Sequence, residues 1–370
     1  MPHPCHDADG RPAAPTGHLS LRGMCADFAR REAAQAARAR ALGLTRREFF
    51  EMLAAGAAAA GAVAVGPDRA AGADAASAAP AAPAAPAAAP RARVVVVTHP
   101  EVLLKDYRAN PAVVRQMLDR AVADLTGKRN EAQAWASLGR ENDFVAIKYN
   151  TMGRPTLSSH TEINDVVASQ LIANARVKGD RILAVDRDLP PPYNELSDPF
   201  TLPSRNLQTR LRRLYTDQAT AIVNVSVLKT HFTDGMSTCL KNHLGSVNNP
   251  AAFHGWEPDR MPRSLPELNA LEPIRSKTRL VIIDAIRPLF AGGPGDNPEN
   301  RWDYRGLIVS TDPVAASAVG LRILEEKRAA SRGGKEWPLT AARLMLAHAQ
   351  AIGLGAADAD RIDVVQATLG

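Results

Sequence analysis

The segment that decides the fold reads Thr220-Ala-Ile-Val-Asn-Val-Ser-Val-Leu-Lys-Thr-His-Phe-Thr-Asp-Gly-Met-Ser-Thr-Cys-Leu-Lys-Asn-His-Leu-Gly245. Its first part, residues 221–227, is rich in β-branched and other apolar residues and predicts a buried strand. The polar residues that follow are Lys229, Thr230, His231, Lys241 and Asn242. Because ligands of α/β proteins bind outside the carboxyl ends of strands, this segment predicts a functional site. The alternative is that these are solvated surface lysines and an ordinary loop histidine.

Strand and helix patterns alternate on both sides of this segment. Apolar runs predict strands at 93–98, 143–149, 181–186, 278–284, 306–310 and 361–366. Helical spacing and start signals predict helices at 111–127, 161–171, 204–216, 314–327 and 339–352. This alternation is typical of an α/β fold with a mostly parallel or mixed sheet and helices on both faces, as one unit or as two α/β lobes.

The composition limits the classes of partner. The chain has 370 residues, a net charge of +6 and 5% aromatic residues. Its basic residues form no run interleaved with aromatic side chains, so we expect no nucleic-acid partner and favour a small anionic ligand. Cys5, Cys25 and Cys239 form no CxxC pair, so the chain has no iron–sulfur cysteine motif and its cofactor is unknown. We expect Cys239 to be a small buried hydrophobic residue, with a catalytic thiol as the alternative.

The N-terminal region has the features of an export signal. Residues 45–51 read Thr-Arg-Arg-Glu-Phe-Phe-Glu, an Ala/Gly-rich segment spans 52–65, and Ala71-Gly-Ala73 offers small residues for cleavage. This pattern resembles the twin-arginine signal peptide, although Glu51 stands where Lys is most common. The resemblance implies a leader at 1–73, the twin-arginine translocase as a partner, and a periplasmic or otherwise exported protein. An amphipathic Ala-rich helix is the alternative.

Alanine and proline dominate the residues that follow this leader. Because a tract of this composition forms no packed core, we predict an extended linker at 74–90 and a folded domain at 91–370. The apolar segment at 52–65 is too short to span a bilayer, and no other stretch of about 18 apolar residues occurs. We therefore expect a soluble mature protein with no stable membrane span.

Six short motifs occur in order along the predicted folded part. They are Val145-Ala-Ile-Lys-Tyr-Asn150, Asn224-Val-Ser-Val-Leu-Lys-Thr-His231, Leu240-Lys-Asn242 with Gly245, Phe253-His254, Ile283-Asp-Ala-Ile286 with Gly292-Gly-Pro294, and Gly306-Leu-Ile-Val309 with Asp312-Pro-Val-Ala315. In this order they resemble the signature of the domain-of-unknown-function 362 family, from which the chain departs at Tyr149, Ser226 and Ala285. The resemblance implies a single α/β domain at 91–370 and indicates where its site lies. It does not imply any particular reaction. Many members of the family also have a ferredoxin-like cysteine segment, which this chain lacks.

The candidate site combines lysines with amides, hydroxyls, imidazoles and carboxylates. The candidate substrate-binding residues are Lys148, Asn150, Thr230, Lys241, Asn242, His254 and Asp312, and the candidate catalytic residues are Lys229, His231 and Asp284. Lysines beside amides and a hydroxyl favour a phosphate or carboxylate ligand. His231 is expected to act as general acid or base, with Asp284 orienting it. Ligation of a metal by His231, His254 and an aspartate stays open, because their spacing is not diagnostic.

These residues predict an exported enzyme that acts on a small anionic substrate. One alternative is an exported redox protein that carries a cofactor or metal and has a redox partner, which the leader and the iron–sulfur members of the family favour. Another alternative is a periplasmic binding protein without catalytic activity.

Overall fold

The computed structural model describes residues 91–254 and 260–370, so the predicted leader and linker lie outside the described residues. Its strands are β1 (Ala92–Thr98), β2 (Val145–Lys148), β3 (Ile182–Val185), β4 (Leu196–Leu202), β5 (Leu207–Arg212), β6 (Ala221–His231), β7 (Gly235–Ser237), β8 (Thr278–Leu289), β9 (Gly306–Ser310) and β10 (Ile362–Thr368). Its α-helices are α1 (Pro111–Thr126), α2 (Glu131–Ala136), α3 (Thr161–Ala175), α4 (Cys239–Asn242), α5 (Arg260–Ala270), α6 (Glu272–Arg275), α7 (Pro313–Ala330) and α8 (Thr340–Ala351).

One sheet runs through the described part of the chain, in the order β10-β1-β9-β8-β6-β2-β3, and the short β7 pairs with the end of β6. In this order β9 is antiparallel to both of its neighbours, whereas the other six strands run in one direction. β4 and β5 form a separate antiparallel hairpin. The predicted α/β class with a mixed, mostly parallel sheet is confirmed, as one continuous sheet and not as two lobes.

Helices cover both faces of the sheet, and the strand sequences explain why. In β1, Val94 and Val96 pack into one hydrophobic cluster, which also contains residues of α5, α7 and α8. Val95 and Val97 pack into a second cluster, with residues of α1, α2 and α3. Since successive side chains of a strand point to opposite faces, a strand covered on both sides is apolar throughout. β6 is central to this arrangement, and all 11 of its residues are buried, including the polar ones.

The predicted helix at 204–216 is wrong, because most of this segment forms β5 and a π-helical turn. In β5 the buried residues Thr209 and Leu211 alternate with the exposed residues Gln208 and Arg210. This alternation has the two-residue period of a strand, and antiparallel pairing with β4 provides hydrogen-bond partners for the backbone of β5.

Other elements occur close to their predicted positions, but two strands are longer than expected. β6 continues through His231, and β8 continues past Asp284 to Leu289. Lys229, Thr230 and His231 therefore lie on a strand and not in a loop, whereas Lys241 and Asn242 lie in the short helix α4. Within 91–254 and 260–370, no helix combines the length and apolar character needed to cross a bilayer.

Candidate functional site

The candidate site lies where four parallel strands end side by side. β3, β2, β6 and β8 are neighbours in that order, so their carboxyl ends meet at one edge of the sheet. Lys148 ends β2, Asp186 directly follows β3, and Lys229 to His231 end β6. The short helix α4 then brings Lys241 back to His231. The fold therefore gathers most of the predicted site residues.

Lys148 is fully buried and forms an ion pair. Its Nζ lies 2.6 Å from Asp186 Oδ1 and also donates to Tyr149 O at 2.7 Å and to Asn242 Oδ1 at 3.2 Å. Burial alone would raise the pKa of Asp186, but Lys148 and hydrogen bonds from Thr151 lower that pKa below its ordinary value. The charge of Lys148 is therefore neutralised inside the protein and is not offered to a ligand.

Asn242, the last residue of α4, links this helix to β2 and β6. Its Nδ2 donates to Lys148 O at 2.9 Å and to Asn224 Oδ1 at 2.8 Å. Gly245 packs against the same group, since a Cβ there would lie 2.9 Å from Lys148 Nζ. The buried amide of Asn242 thus positions Lys148 and α4, and its hydrogen bonds are directed at the protein.

Lys229 is buried, and its ammonium is surrounded by neutral oxygen atoms. Nζ donates to Asn150 Oδ1 at 3.1 Å, to Met152 O at 2.6 Å and to Leu157 O at 3.2 Å. Burial, followed by the positive charge of Lys241, lowers the pKa of Lys229 to about 7. Lys229 therefore holds the loop between β2 and α3 against the end of β6, and Asn150 serves as one of its anchors.

Thr230 contacts the glycine-containing turn after β8. Its Oγ1 accepts a hydrogen bond from the backbone N–H of Gly293 at 3.2 Å. A Cβ at residue 293 would overlap the carbonyl group of Thr230, so this close approach requires glycine. Thr230 thus positions the turn, and its hydroxyl is buried.

His231 belongs to a chain of three charged or polar groups. Its Nδ1 lies 2.5 Å from Asp234 Oδ1, and its Nε2 lies 2.9 Å from Lys241 Nζ. Lys241 Nζ is also 3.0 Å from Asp234 Oδ1. The backbone N–H of Thr233 also points to Nδ1, at 3.2 Å, but the Asp234 carboxylate is closer, at 2.5 Å. We assign the ring proton to Nδ1, because a carboxylate only accepts hydrogen bonds and an ammonium only donates them. The Nε2 lone pair therefore faces Lys241, and Asp234 is the carboxylate that orients His231.

Burial determines the protonation states of these three groups. It lowers the pKa of His231 to about 4, and the opposing effect of Asp234 does not offset it. Burial likewise lowers the pKa of Lys241, against the effect of Asp234. For Asp234 itself, His231 and Lys241 outweigh burial and hold the carboxyl pKa well below its usual range. His231 is thus a neutral imidazole at pH 7.

His254 lies beside His231, with their ring centroids 5.9 Å apart. Its Nδ1 contacts Pro250 O at 2.9 Å, which fixes the proton on Nδ1 and leaves the lone pair on Nε2. Burial and then Lys241 lower the pKa of His254 to about 4. Among the residues whose structure is described, no group of three or more His, Cys, Asp or Glu side chains is arranged to hold a metal ion.

Cys239 is buried at the start of α4, which agrees with the expectation of a small hydrophobic residue. Burial raises the pKa of its thiol to about 12, although the hydroxyl of Ser226 opposes this by donating to Sγ at 3.8 Å. At neutral pH the side chain is therefore an unreactive thiol, since the thiolate is the nucleophilic form.

Asp284 contacts His160, so the predicted contact between Asp284 and His231 is not formed. Asp284 Oδ2 lies 2.7 Å from His160 Nδ1 and accepts the backbone N–H of His160 at 2.8 Å. His160 Nε2 lies 3.0 Å from Tyr107 O. Burial disfavours the imidazolium, but Asp284 more than offsets burial and raises the pKa of His160 to about 9. This ion pair joins β8 to the start of α3.

Asp312 lies at the opposite edge of the sheet from His231, because β9 runs antiparallel and α7 begins where β9 ends. Its Oδ1 accepts from the backbone N–H groups of Val314 and Ala315 at 2.8 and 2.9 Å. Its Oδ2 accepts from Ala356 N at 2.9 Å. Asp312 is therefore an N-cap of α7 and is not part of the cluster at the carboxyl edge.

Sequence reasoning missed three residues of this region. Asp186 is the last residue of the strand predicted at 181–186 and had the same signal as Lys148, a polar residue at the carboxyl end of a strand. Asp234 lies three residues after His231 and could have been recognised as its partner. His160 carries no local signal, because its partner is 124 residues away in the sequence.

Comparison with known proteins adds one finding. A family model described as a domain of unknown function (DUF362) matches residues 197–322. The matched range contains five of the six motifs, and the motif that ends at Asn150 lies outside it. No curated protein and no solved structure matches the chain.

Proposed function

Starting from the DUF362 domain that this chain carries over residues 197–322, we propose that the protein is an enzyme that binds a small anionic molecule and transfers a proton to or from it. The site is the carboxyl edge of the sheet around His231. In this proposal His231 is the general acid or base, Asp234 orients its ring, and Lys241 binds the anionic group.

The hydrogen-bonded chain of Asp234, His231 and Lys241 carries this proposal. A carboxylate that fixes the Nδ1–H tautomer leaves the Nε2 lone pair pointing to the reacting group, which is the arrangement of a general base. Here Nε2 faces the ammonium of Lys241 at 2.9 Å. When Lys241 pairs with an anionic ligand, the Nε2 lone pair becomes available to a proton of that ligand.

The charges near His231 favour an anion over a cation. Lys148 is neutralised by Asp186, whereas the hydrogen-bond acceptors of Lys229 among the described residues are all neutral oxygen atoms. Lys241 contributes a second ammonium, which shares its aspartate with His231. His254 is half-buried and offers a neutral Nε2, so it is placed to accept a hydrogen bond from the same ligand.

The experiment begins with small carboxylates and phosphate esters that raise the melting temperature of the wild-type protein, and then follows their conversion. His231→Gln is expected to lower the turnover rate by about 10²- to 10⁴-fold, as for loss of a general base. His348→Gln is the matched control, because His348 also contacts a carboxylate, Glu267 at 3.3 Å. Equal turnover by wild-type protein and His231→Gln would refute the proton-transfer role, and release of every bound ligand unchanged would indicate a binding protein.

We also propose that the chain is exported by the twin-arginine route, as the motif at 45–51 suggests. Replacing both Arg46 and Arg47 by Lys is expected to retain the protein in the cytoplasm with its leader attached. The control replaces Arg38 and Arg40, which are not consecutive, by Lys. Cell fractionation and intact-mass measurement decide the matter, because equal export of both variants would contradict this route.

A further inference from the structure

Three arginines converge on the segment that connects β8 to β9. Arg287 lies near the end of β8, and Arg301 and Arg305 lie on the chain that returns beside it. Asp303 links two of them, since its Oδ1 is 3.4 Å from Arg287 Nε and its Oδ2 is 3.6 Å from Arg305 Nη2. Arg301 Nη2 donates to the backbone carbonyl of Arg287 at 3.1 Å. We refer to Arg287, Arg301 and Arg305 as the arginine cluster.

The guanidinium groups of the arginine cluster are only partly satisfied. Within 91–254 and 260–370, the buried Nε atoms of Arg301 and Arg305 have no hydrogen-bond partner, and the buried Nε of Arg287 has only its ion-pair contact with Asp303 at 3.4 Å. The side chain of Arg301 is only 3% exposed, and its nearest ion-pair partner, Asp296, lies 3.7 Å from Nη1. Because a buried donor without an acceptor is costly, this arrangement calls for an additional acceptor.

The cluster also has an excess of positive charge and an open side. Three guanidinium groups form ion pairs with two carboxylates, those of Asp296 and Asp303, while Asp284, whose charge also acts on Arg301, is paired with His160. The side chains of Asp303 and Arg305 are 43% and 42% exposed, so solvent reaches the cluster from this side. Tyr107 closes another side, with its ring centroid 3.9 Å from Arg287 Cζ.

We propose that the arginine cluster binds a tetrahedral oxyanion, of the kind presented by inorganic phosphate or a phosphate monoester. A planar guanidinium presents its Nε–H and Nη–H groups as a fork that matches two oxygen atoms of such an anion. The anion would supply acceptors to the buried Nε atoms and balance the positive charge. This site is distinct from the chain of Asp234, His231 and Lys241 and does not depend on any reaction there.

The first test is isothermal titration of the full chain with inorganic phosphate and, separately, methyl phosphate. Arg301→Gln and Arg305→Gln are each expected to weaken binding of the probes by about tenfold or more, because each removes a charged donor. Arg322→Gln is the matched control, since Arg322 is 50% exposed and lies 3.8 Å from Glu326. Tighter binding of methyl phosphate than of inorganic phosphate would identify a phosphate monoester as the ligand class, and the reverse would identify the free ion.

A second variant tests the proposal in the opposite direction. Asp303→Asn removes the carboxylate that competes with an anion for Arg287 and Arg305, so phosphate should bind about three- to tenfold more tightly. This outcome decides the proposal even where Arg301→Gln fails to fold. Unchanged or weaker binding by Asp303→Asn, or wild-type binding that Arg305→Gln does not alter, would overturn the proposal.

Discussion

Asp186→Asn is expected to lower the free energy of unfolding by about 3–5 kcal/mol, because it leaves a buried ammonium without its counter-charge. Lys148 has no exposed surface, and its Nζ lies 2.6 Å from Asp186 Oδ1. The new amide would also direct N–H groups at Thr151, whose backbone N–H and hydroxyl both donate to Asp186 Oδ2. Urea denaturation at pH 7 measures the difference between the variant and the wild-type protein.

The control for this variant is Glu326→Gln, which breaks a solvent-exposed ion pair between a basic and an acidic side chain. Arg322 and Glu326 are 50% and 69% exposed and 3.8 Å apart, so we expect a loss of only about 0.5 kcal/mol or less. A similarly small loss for Asp186→Asn would show that Lys148 is not held as a buried ion.

Raising the pH from 6 to 9.5 is expected to remove a stabilising contribution of about 3 kcal/mol from the ion pair between His160 and Asp284. Asp284 raises the pKa of His160 from 6.5 to about 9, against the opposing effect of burial. A folded-state pKa above the unfolded value means that the contribution is complete below pH 6.5. It is then lost as the pH rises through about 9. Urea denaturation across this range gives the profile.

The comparison with His160→Gln isolates this ion pair from other groups that titrate in the same range. Lys229 acts in the opposite direction, since burial lowers its pKa from 10.5 to about 7 and its effect favours folding as the pH rises. Lys229 is present in both proteins, so its effect cancels in the difference between their profiles. A difference that stays constant from pH 6 to 9.5 would contradict a raised pKa for His160.

Two kinds of buried group therefore hold the edge of the sheet around His231. Ion pairs such as those of Lys148 and His160 connect neighbouring strands and the start of α3, and Lys229 fastens the loop between β2 and α3. These groups fix the backbone that presents Asp234, His231 and Lys241. Lys148, Lys229 and Asp284, which the sequence suggested as substrate-binding or catalytic residues, thus belong to this scaffold in our proposal, together with Asp186 and His160.

The sequence by itself determined most strands and helices of the described part, and with them the edge at which the polar residues gather. The strands and helices can be predicted from local patterns, because apolar runs, helical spacing and helix caps such as Asn110 involve only a few neighbouring residues. The parallel arrangement then follows from the alternation of strands and helices. The order of motifs was sufficient to suggest the family whose model matches residues 197–322.

Only the tertiary structure decided which polar groups pair with each other. Asp284 contacts His160 across 124 residues, and Lys148 contacts Asp186 across 38 residues. Asp312 lies away from the site because β9 is antiparallel to its neighbours. The local sequence does not encode this strand orientation. Likewise, the segment at 204–216 has residues compatible with a helix, and its pairing with β4 makes it a strand. Partners distant in the sequence are selected by packing and burial, so they are known only once the chain has folded.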